Sequence, residues 1–123
     1  MMKPWPTDGS KACVAHMKSS DFYGSEQSIT MAQACDAKIE FIGDDGKSVV
    51  LKDKLSLQAG EVADTAVMNV SALRQFFAEE MEAARQADAL LSLHMKATMM
   101  KISDPIIFGH CVSVFYKDAL GKH

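Results

Sequence analysis

The sequence has no excess of positive charge. Its 13 lysines and arginines are outnumbered by 16 aspartates and glutamates, which gives a net charge of -3. Proteins that bind nucleic acids carry a basic patch or stripe that matches the phosphate backbone. The composition therefore argues against a nucleic-acid partner, while its 48% hydrophobic content is typical of a globular protein.

Long apolar runs are also missing. The longest uncharged run, residues 105–116, contains Gly109 and His110 and is too short to cross a bilayer. The opening M-M-K-P-W-P lacks the apolar stretch of a signal peptide. These absences predict a cytoplasmic protein with no membrane partner.

Cysteine is scarce. Cys13, Cys35 and Cys111 are an odd number and show no C-x-x-C spacing. Structural zinc sites use four clustered ligands, so three scattered thiols do not predict one. We expect reduced thiols, with Cys111 buried.

Phosphate-binding and nucleophile motifs are absent as well. Neither G-x-G-x-x-G nor G-x-x-x-x-G-K-[ST] occurs, and Gly24-Ser25-Glu26 lacks the flanking pattern of a nucleophile elbow. No loop of this chain is therefore predicted to cradle a phosphate.

The first half of the chain has the pattern of short strands and turns. Asp44-Asp45-Gly46 separates two β-rich runs and predicts a hairpin turn, since the further ligands of an EF-hand are absent. A second turn is predicted at residues 21–26. The predicted strands are residues 12–17, 28–31, 37–42 and 48–51.

The second half changes to a helical period. Apolar residues recur at steps of three and four along residues 70–87, and Asn69 or Ser71 can cap the start. A strand is predicted at residues 90–96, and a second helix at 104–120 with Asp104 as N-cap and Pro105 in its first turn. We expect one domain, residues 1–123, of the α+β class. It would have two layers: a mainly antiparallel sheet that includes residues 90–96, with helices 70–87 and 104–120 on one face.

Lys101 is the strongest candidate for chemistry. It lies in a loop between a predicted strand and a helix N-terminus, which is a common position for ligand sites. The neighbouring Met99 and Met100 could partly desolvate its ammonium and so favour proton exchange with a substrate hydroxyl. The alternative is an ordinary solvated lysine. His94 and His110 have the pattern of structural histidines, and Ser103 and Asp104 that of helix caps.

Three long stretches resemble a known family. They are L-L-S-L-H-M-K-A-T-M-M-K-I-S-D-P-I-I-F-G from Leu90, V-A-H-M-K-S-S-D-F-Y-G-S-E from Val14 and L-Q-A-G-E-V-A-D-T-A-V-M from Leu57. With V-S-V-F-Y-K-D-A-L-G-K-H at the end, the sequence resembles the monomeric NADP-dependent isocitrate dehydrogenases of bacteria over nearly its whole length.

The resemblance implies an activity and a role for one residue. Family members oxidise isocitrate with NADP and Mg²⁺ or Mn²⁺ and decarboxylate the product to 2-oxoglutarate, a tricarboxylic acid cycle step. The family's catalytic lysine, in M-M-K before the S-D-P helix, corresponds to Lys101. Members are several times longer, so the chain is expected to be an internal segment of the large domain. The metal, NADP and other substrate residues would lie in the remainder of the polypeptide, so the segment alone should bind no cofactor and be inactive.

Two other hypotheses remain open from the residues alone. One is a stand-alone α+β module that binds a partner through a methionine-rich surface, since the chain has nine methionines. The other is a complete small enzyme that uses Lys101 for Schiff-base chemistry. If the chain is instead a segment of a larger domain, removal of its neighbours would uncover a sheet edge or a helix face, and we expect the segment to self-associate through it.

Overall fold

The chain divides into two compact units. A computed structural model describes Pro4, residues 12–95 and residues 100–122. Unit 1 comprises Met1–Gly24 and Met68–His123, and unit 2 comprises Ser25–Val67. Helices dominate the described part of unit 1, and four strands make up most of unit 2. The α+β class is confirmed, whereas the single domain and the layering of helices on a sheet stay predictions.

Unit 2 contains two separate sheets. Its strands are β1 (Gln27–Thr30), β2 (Cys35–Ile42), β3 (Ser48–Leu57) and β4 (Val62–Thr65), preceded along the chain by the short helix α1 (Phe22–Ser25). β1 pairs with β4 and β2 with β3, both antiparallel. The prediction of one sheet is wrong for the described residues. The β4 strand was missed because V-A-D-T is short and half polar.

The β2–β3 hairpin forms where the Asp-Gly pair predicts it. Gly46 adopts a φ of 76°, a conformation that glycine reaches without steric cost, and its N–H donates to the Gly43 carbonyl at 2.9 Å. The Gly43 N–H donates in turn to the Lys47 carbonyl at 2.9 Å. The carboxylate of Asp45 accepts from the Lys47 N–H at 3.0 Å, so it supports the turn.

One face of the β2–β3 hairpin carries a polar network. Asp36 lies opposite Ser56, whose hydroxyl donates to the carboxylate at 2.7 Å, and Lys54 forms an ion pair with it at 2.9 Å. These two contacts, Ser56 first, lower the pKa of Asp36. Cross-strand pairs of this kind hold the register of a hairpin, since slipping by one residue would break both contacts.

A serine side chain extends the β1–β4 ladder. Gln27 pairs with Thr65 at the end of the ladder. Two positions beyond, the Ser25 hydroxyl donates to the Val67 carbonyl at 2.7 Å and accepts from the Val67 N–H at 2.8 Å. The hydroxyl thus takes the place of the N–H donor and the carbonyl acceptor that a paired strand residue would offer to Val67. These two hydrogen bonds connect the first and last residues of unit 2.

Unit 1 is organised around helix α2 (Val70–Gln86). The Asn69 side chain accepts from the Ala72 N–H at 2.9 Å, which identifies Asn69 as the cap. Leu73 and Phe77, one turn apart, are 3% and 5% exposed and form the buried core of the described residues. The predicted helix at residues 70–87 is confirmed. It could be predicted because its apolar residues recur with the period of a helix.

The solvent face of α2 carries charged side chains. Arg85 donates to both carboxylate oxygens of Glu82, at 2.8 and 2.6 Å, and Gln86 adds a bond at 2.7 Å. The contacts with Arg85 and then Gln86 lower the pKa of Glu82 to about 2. Both side chains are exposed, so the ion pair contributes little to stability.

The C-terminus of α2 has a Schellman geometry. The Ala89 N–H donates to the Ala84 carbonyl at 2.9 Å and the Asp88 N–H to the Arg85 carbonyl at 3.3 Å. Asp88 has a φ of 51°, the left-handed conformation that glycine or asparagine usually occupies. Its negative charge also lies at the negative end of the helix dipole, which is unfavourable.

The last predicted helix is broken and begins earlier than expected. Helix α3 spans Ser103–Phe115 and α4 spans Lys117–Leu120, with Tyr116 at φ -96° and ψ 22° between them. The N-cap is Ile102, which offers no side-chain hydrogen bond, and Asp104 already lies in the first turn. The predicted capping by Asp104 or Ser103 is therefore wrong. No helix in the described ranges has the length and apolar character needed to cross a membrane.

Two predicted strands do not form. Residues 12–17 and 90–95 have no strand structure, and Lys96 lies outside the described residues. In the second segment, burial still alternates from residue to residue. Leu91, Leu93 and Met95 are half-buried, whereas Ser92 and His94 are exposed. Alternation indicates a face to bury, but a strand also needs a neighbouring strand to pair with.

Unit 2 should show a pH-dependent contact between Glu26 and Asp64. A hydrogen bond with the Asp64 side chain, followed by charge repulsion, raises the pKa of Glu26. A carboxyl whose pKa is higher in the folded state adds stability that is complete below its unfolded pKa and is lost as pH rises through the folded pKa. Glutamine donates at any pH, so Glu26→Gln should raise the melting temperature more at about pH 7 than at about pH 4.

The matched control for this experiment is Asp53→Asn, which neutralises an exposed strand carboxylate. Its effect on the melting temperature should be similar at both pH values. An equal effect of Glu26→Gln at the two pH values would contradict a raised pKa of Glu26 in the folded chain.

The C-terminus of α2 predicts a stabilising substitution. Asp88→Asn keeps a residue that tolerates positive φ and removes the unfavourable charge, so we expect about 0.3–1 kcal/mol of added stability. Asp88→Ala removes the same charge, but alanine is disfavoured at positive φ, so this variant should gain less stability than Asp88→Asn. Thermal unfolding of the two variants checks the order, and a larger gain for alanine would contradict it.

Candidate functional site

Lys101 lies in an exposed turn directly before α3. Its neighbours Met100 and Ile102 are 56% and 78% exposed, and Lys101 is exposed as well. The turn is fixed by the Asp104 N–H, which donates to the Met100 carbonyl at 3.2 Å. The ammonium is therefore presented on the surface beside a helix start. Met99 lies outside the described residues, so desolvation of Lys101 by the two methionines stays a prediction.

The electrostatics beside Lys101 are simple. Within the described ranges, no ion pair joins the ammonium to a carboxylate. Asp104, in the first turn of α3, is half-buried and complements the positive end of the helix dipole. A lysine without a carboxylate partner is available to interact with a substrate oxygen.

The other polar candidates lie on α3 or on the segment that precedes the turn. His94 is exposed and His110 half-buried, and no hydrogen bond links either ring to Lys101 in the described part of the chain. Ser103 opens α3 as its first helical residue. The described residues thus present one candidate side chain and leave its partners unidentified.

The thiols differ in exposure. Cys13 and Cys35 are exposed, Cys111 on α3 is half-buried, and all three are free. Burial raises the pKa of the Cys111 thiol. Among the described residues, no three histidines, cysteines, aspartates or glutamates cluster so as to hold a metal ion.

Comparison with known protein families identifies the family of the chain that contains this turn. The family model for monomeric isocitrate dehydrogenase matches residues 1–123. The chain belongs to the monomeric isocitrate dehydrogenase family. The match includes the turn at Lys101 and both units.

Curated relatives in this family are much longer. The isocitrate dehydrogenase (NADP) of Azotobacter vinelandii is 56% identical over 99% of this chain, which is 16% of that protein. Isocitrate dehydrogenase (NADP) 2 of Colwellia maris is 52% identical over 99% of the chain, again 16% of the relative. The corresponding enzyme of Mycobacterium tuberculosis is 46% identical over 93% of the chain and 15% of its own length. The chain thus spans about one sixth of these relatives.

One feature near the core was missed by sequence reasoning. An apolar groove runs beside α2, between residues 12–15 and residues 89–93. The signal for it was the repetition of small side chains at Ala83, Ala84 and Ala87, which leaves space along one side of the helix. Composition alone does not distinguish such a groove from an ordinary solvated face.

The three thiols should differ in reactivity. The thiolate is the nucleophile, so burial and a raised pKa both slow Cys111, whereas Cys13 and Cys35 are open to reagent. Brief labelling with iodoacetamide should modify Cys13 and Cys35 before Cys111, as read by peptide mass spectrometry. The control is labelling in denaturant, where the three thiols should react at similar rates. If Cys111 reacted faster than Cys13 and Cys35 in the native chain, that would contradict its half-buried position on α3.

Proposed function

We propose that this chain is a segment of an NADP-dependent isocitrate dehydrogenase, with Lys101 as the lysine that moves protons. The observation that carries the proposal is the family match over residues 1–123, together with relatives named isocitrate dehydrogenase (NADP). The enzyme would convert isocitrate to 2-oxoglutarate and CO₂ in the cytoplasm. The remaining catalytic residues would come from other parts of the same polypeptide.

The reaction requires a group that exchanges protons. Oxidation of the secondary alcohol removes the hydroxyl proton as hydride leaves the carbon, and loss of CO₂ then leaves an enol that is protonated at carbon. An amine that cycles between its neutral and charged forms can take up the first proton and return one later. Lys101 suits this role because it is exposed beside a helix start and has no ion-pair partner among the described carboxylates.

The described residues do not supply a metal site. Without a cluster of three suitable ligands in that part of the chain, they do not fit Mg²⁺ or Mn²⁺. We propose that metal and NADP are bound by residues elsewhere in the enzyme. The part of the reaction that this chain's own residues supply is the proton exchange at Lys101.

Substitution of Lys101 in the full-length enzyme tests the proposal. Lys101→Met should lower kcat by roughly a hundredfold or more, because general acid–base groups contribute factors of this size. The melting temperature should change little, since the side chain is exposed. Lys101→Arg keeps the charge but cannot release a proton near neutral pH, so it should be about as inactive.

Lys117→Met is the matched control, since it removes an exposed lysine from α4, away from the turn. It should leave the pH–rate profile unchanged. Near-normal kcat for Lys101→Met between about pH 6 and 9 would mean that Lys101 is an ordinary surface lysine. Full activity of Lys101→Arg would show that charge, rather than proton transfer, matters at this position.

A further inference from the structure

The groove beside α2 is large and mostly apolar. Its volume is about 760 Å³, and it lies entirely within unit 1. One wall is the C-terminal half of α2, and the others are two segments without strand structure. The side chains that line it include Val14, Phe76, Phe77, Ala83, Leu91 and Leu93. Exposed apolar grooves occur where another chain segment or an apolar ligand packs.

The charged residues of the groove have one sign. Glu80 and Asp88 are the charged side chains in its lining. Neither carboxylate forms an ion pair with a lysine or arginine in the described part of the chain. An occupant that combines an apolar centre with a basic residue at its margin would match both features.

The walls themselves indicate a missing neighbour. Residues 91–95 alternate between half-buried and exposed side chains, as a strand with one covered face does, yet they pair with no strand among the described residues. Leu90, which lines the groove, is 94% exposed. A further segment in the groove would cover such residues.

We propose that the groove is the seat of an apolar segment with a basic flank, contributed by the part of the isocitrate dehydrogenase polypeptide outside residues 1–123. This inference rests on the proposed function, because it requires a longer enzyme. The relatives support it, since about five sixths of their length lies outside the matched region. A second copy of the chain fits less well, because the family is described as monomeric.

The test compares two alanines of α2 in the full-length enzyme. Ala83 and Ala78 are both exposed in this chain, but Ala83 lines the groove and Ala78 does not. Arginine is a good helix former, so on an open helix surface either substitution should be tolerated. With the groove occupied, Ala83→Arg should lower the melting temperature by at least about 2–4 °C, while Ala78→Arg should have a smaller effect. Equal shifts, or none for Ala83→Arg, would overturn the proposal.

A second measurement needs no variant. Cys13 lines the groove and is exposed when the groove is open. In the native full-length enzyme, an occupied groove should slow labelling of Cys13 by iodoacetamide by about tenfold or more relative to the urea-unfolded enzyme. Labelling near the unfolded rate would overturn the proposal. If the enzyme did not reduce NADP with isocitrate, the proposed function would fail, yet both measurements would still report on the groove.

Discussion

Burial of one face of α2 is the interaction on which the described part of unit 1 depends. Leu73 and Phe77 are the two residues of the described chain that are nearly inaccessible to water. Asn69 fixes the start of the helix that carries them, and its own N–H donates to the Ser20 carbonyl at 2.9 Å. Helix α3 begins just after Lys101 and packs against α2, so α2 helps to position the end of the turn that carries Lys101.

Local patterns were sufficient where a short stretch of chain determines its own structure. The α2 stripe and the Asp44-Asp45-Gly46 turn were both predictable, because helical periodicity and the backbone freedom of Gly46 act within a few residues. The same holds for Asn69, whose side chain bonds three residues ahead. These elements need little information from the rest of the fold.

Prediction was wrong where a segment depends on distant partners. Residues 90–95 have the alternation of a strand but no strand beside them in the described chain, and β4 is too short to be recognised before β1 is known. Lys101 illustrates the same limit for function: its residue type and position suggested chemistry, but the family resemblance was needed to assign a reaction. The start of α3 is a separate case, because the error there is local: the Asp104 N–H already bonds to the Met100 carbonyl, so the helix begins one residue before Asp104.

The bond between Ser25 and Val67 has a consequence for the order of folding. These residues are 42 positions apart in the sequence, so bringing them together costs much more chain entropy than closing the turn of the β2–β3 hairpin. We therefore expect the β2–β3 hairpin to form first. Once formed, it shortens the loop of flexible chain that separates Ser25 from Val67. The β1–β4 ladder and its serine would then close last, as the slow step in the assembly of unit 2.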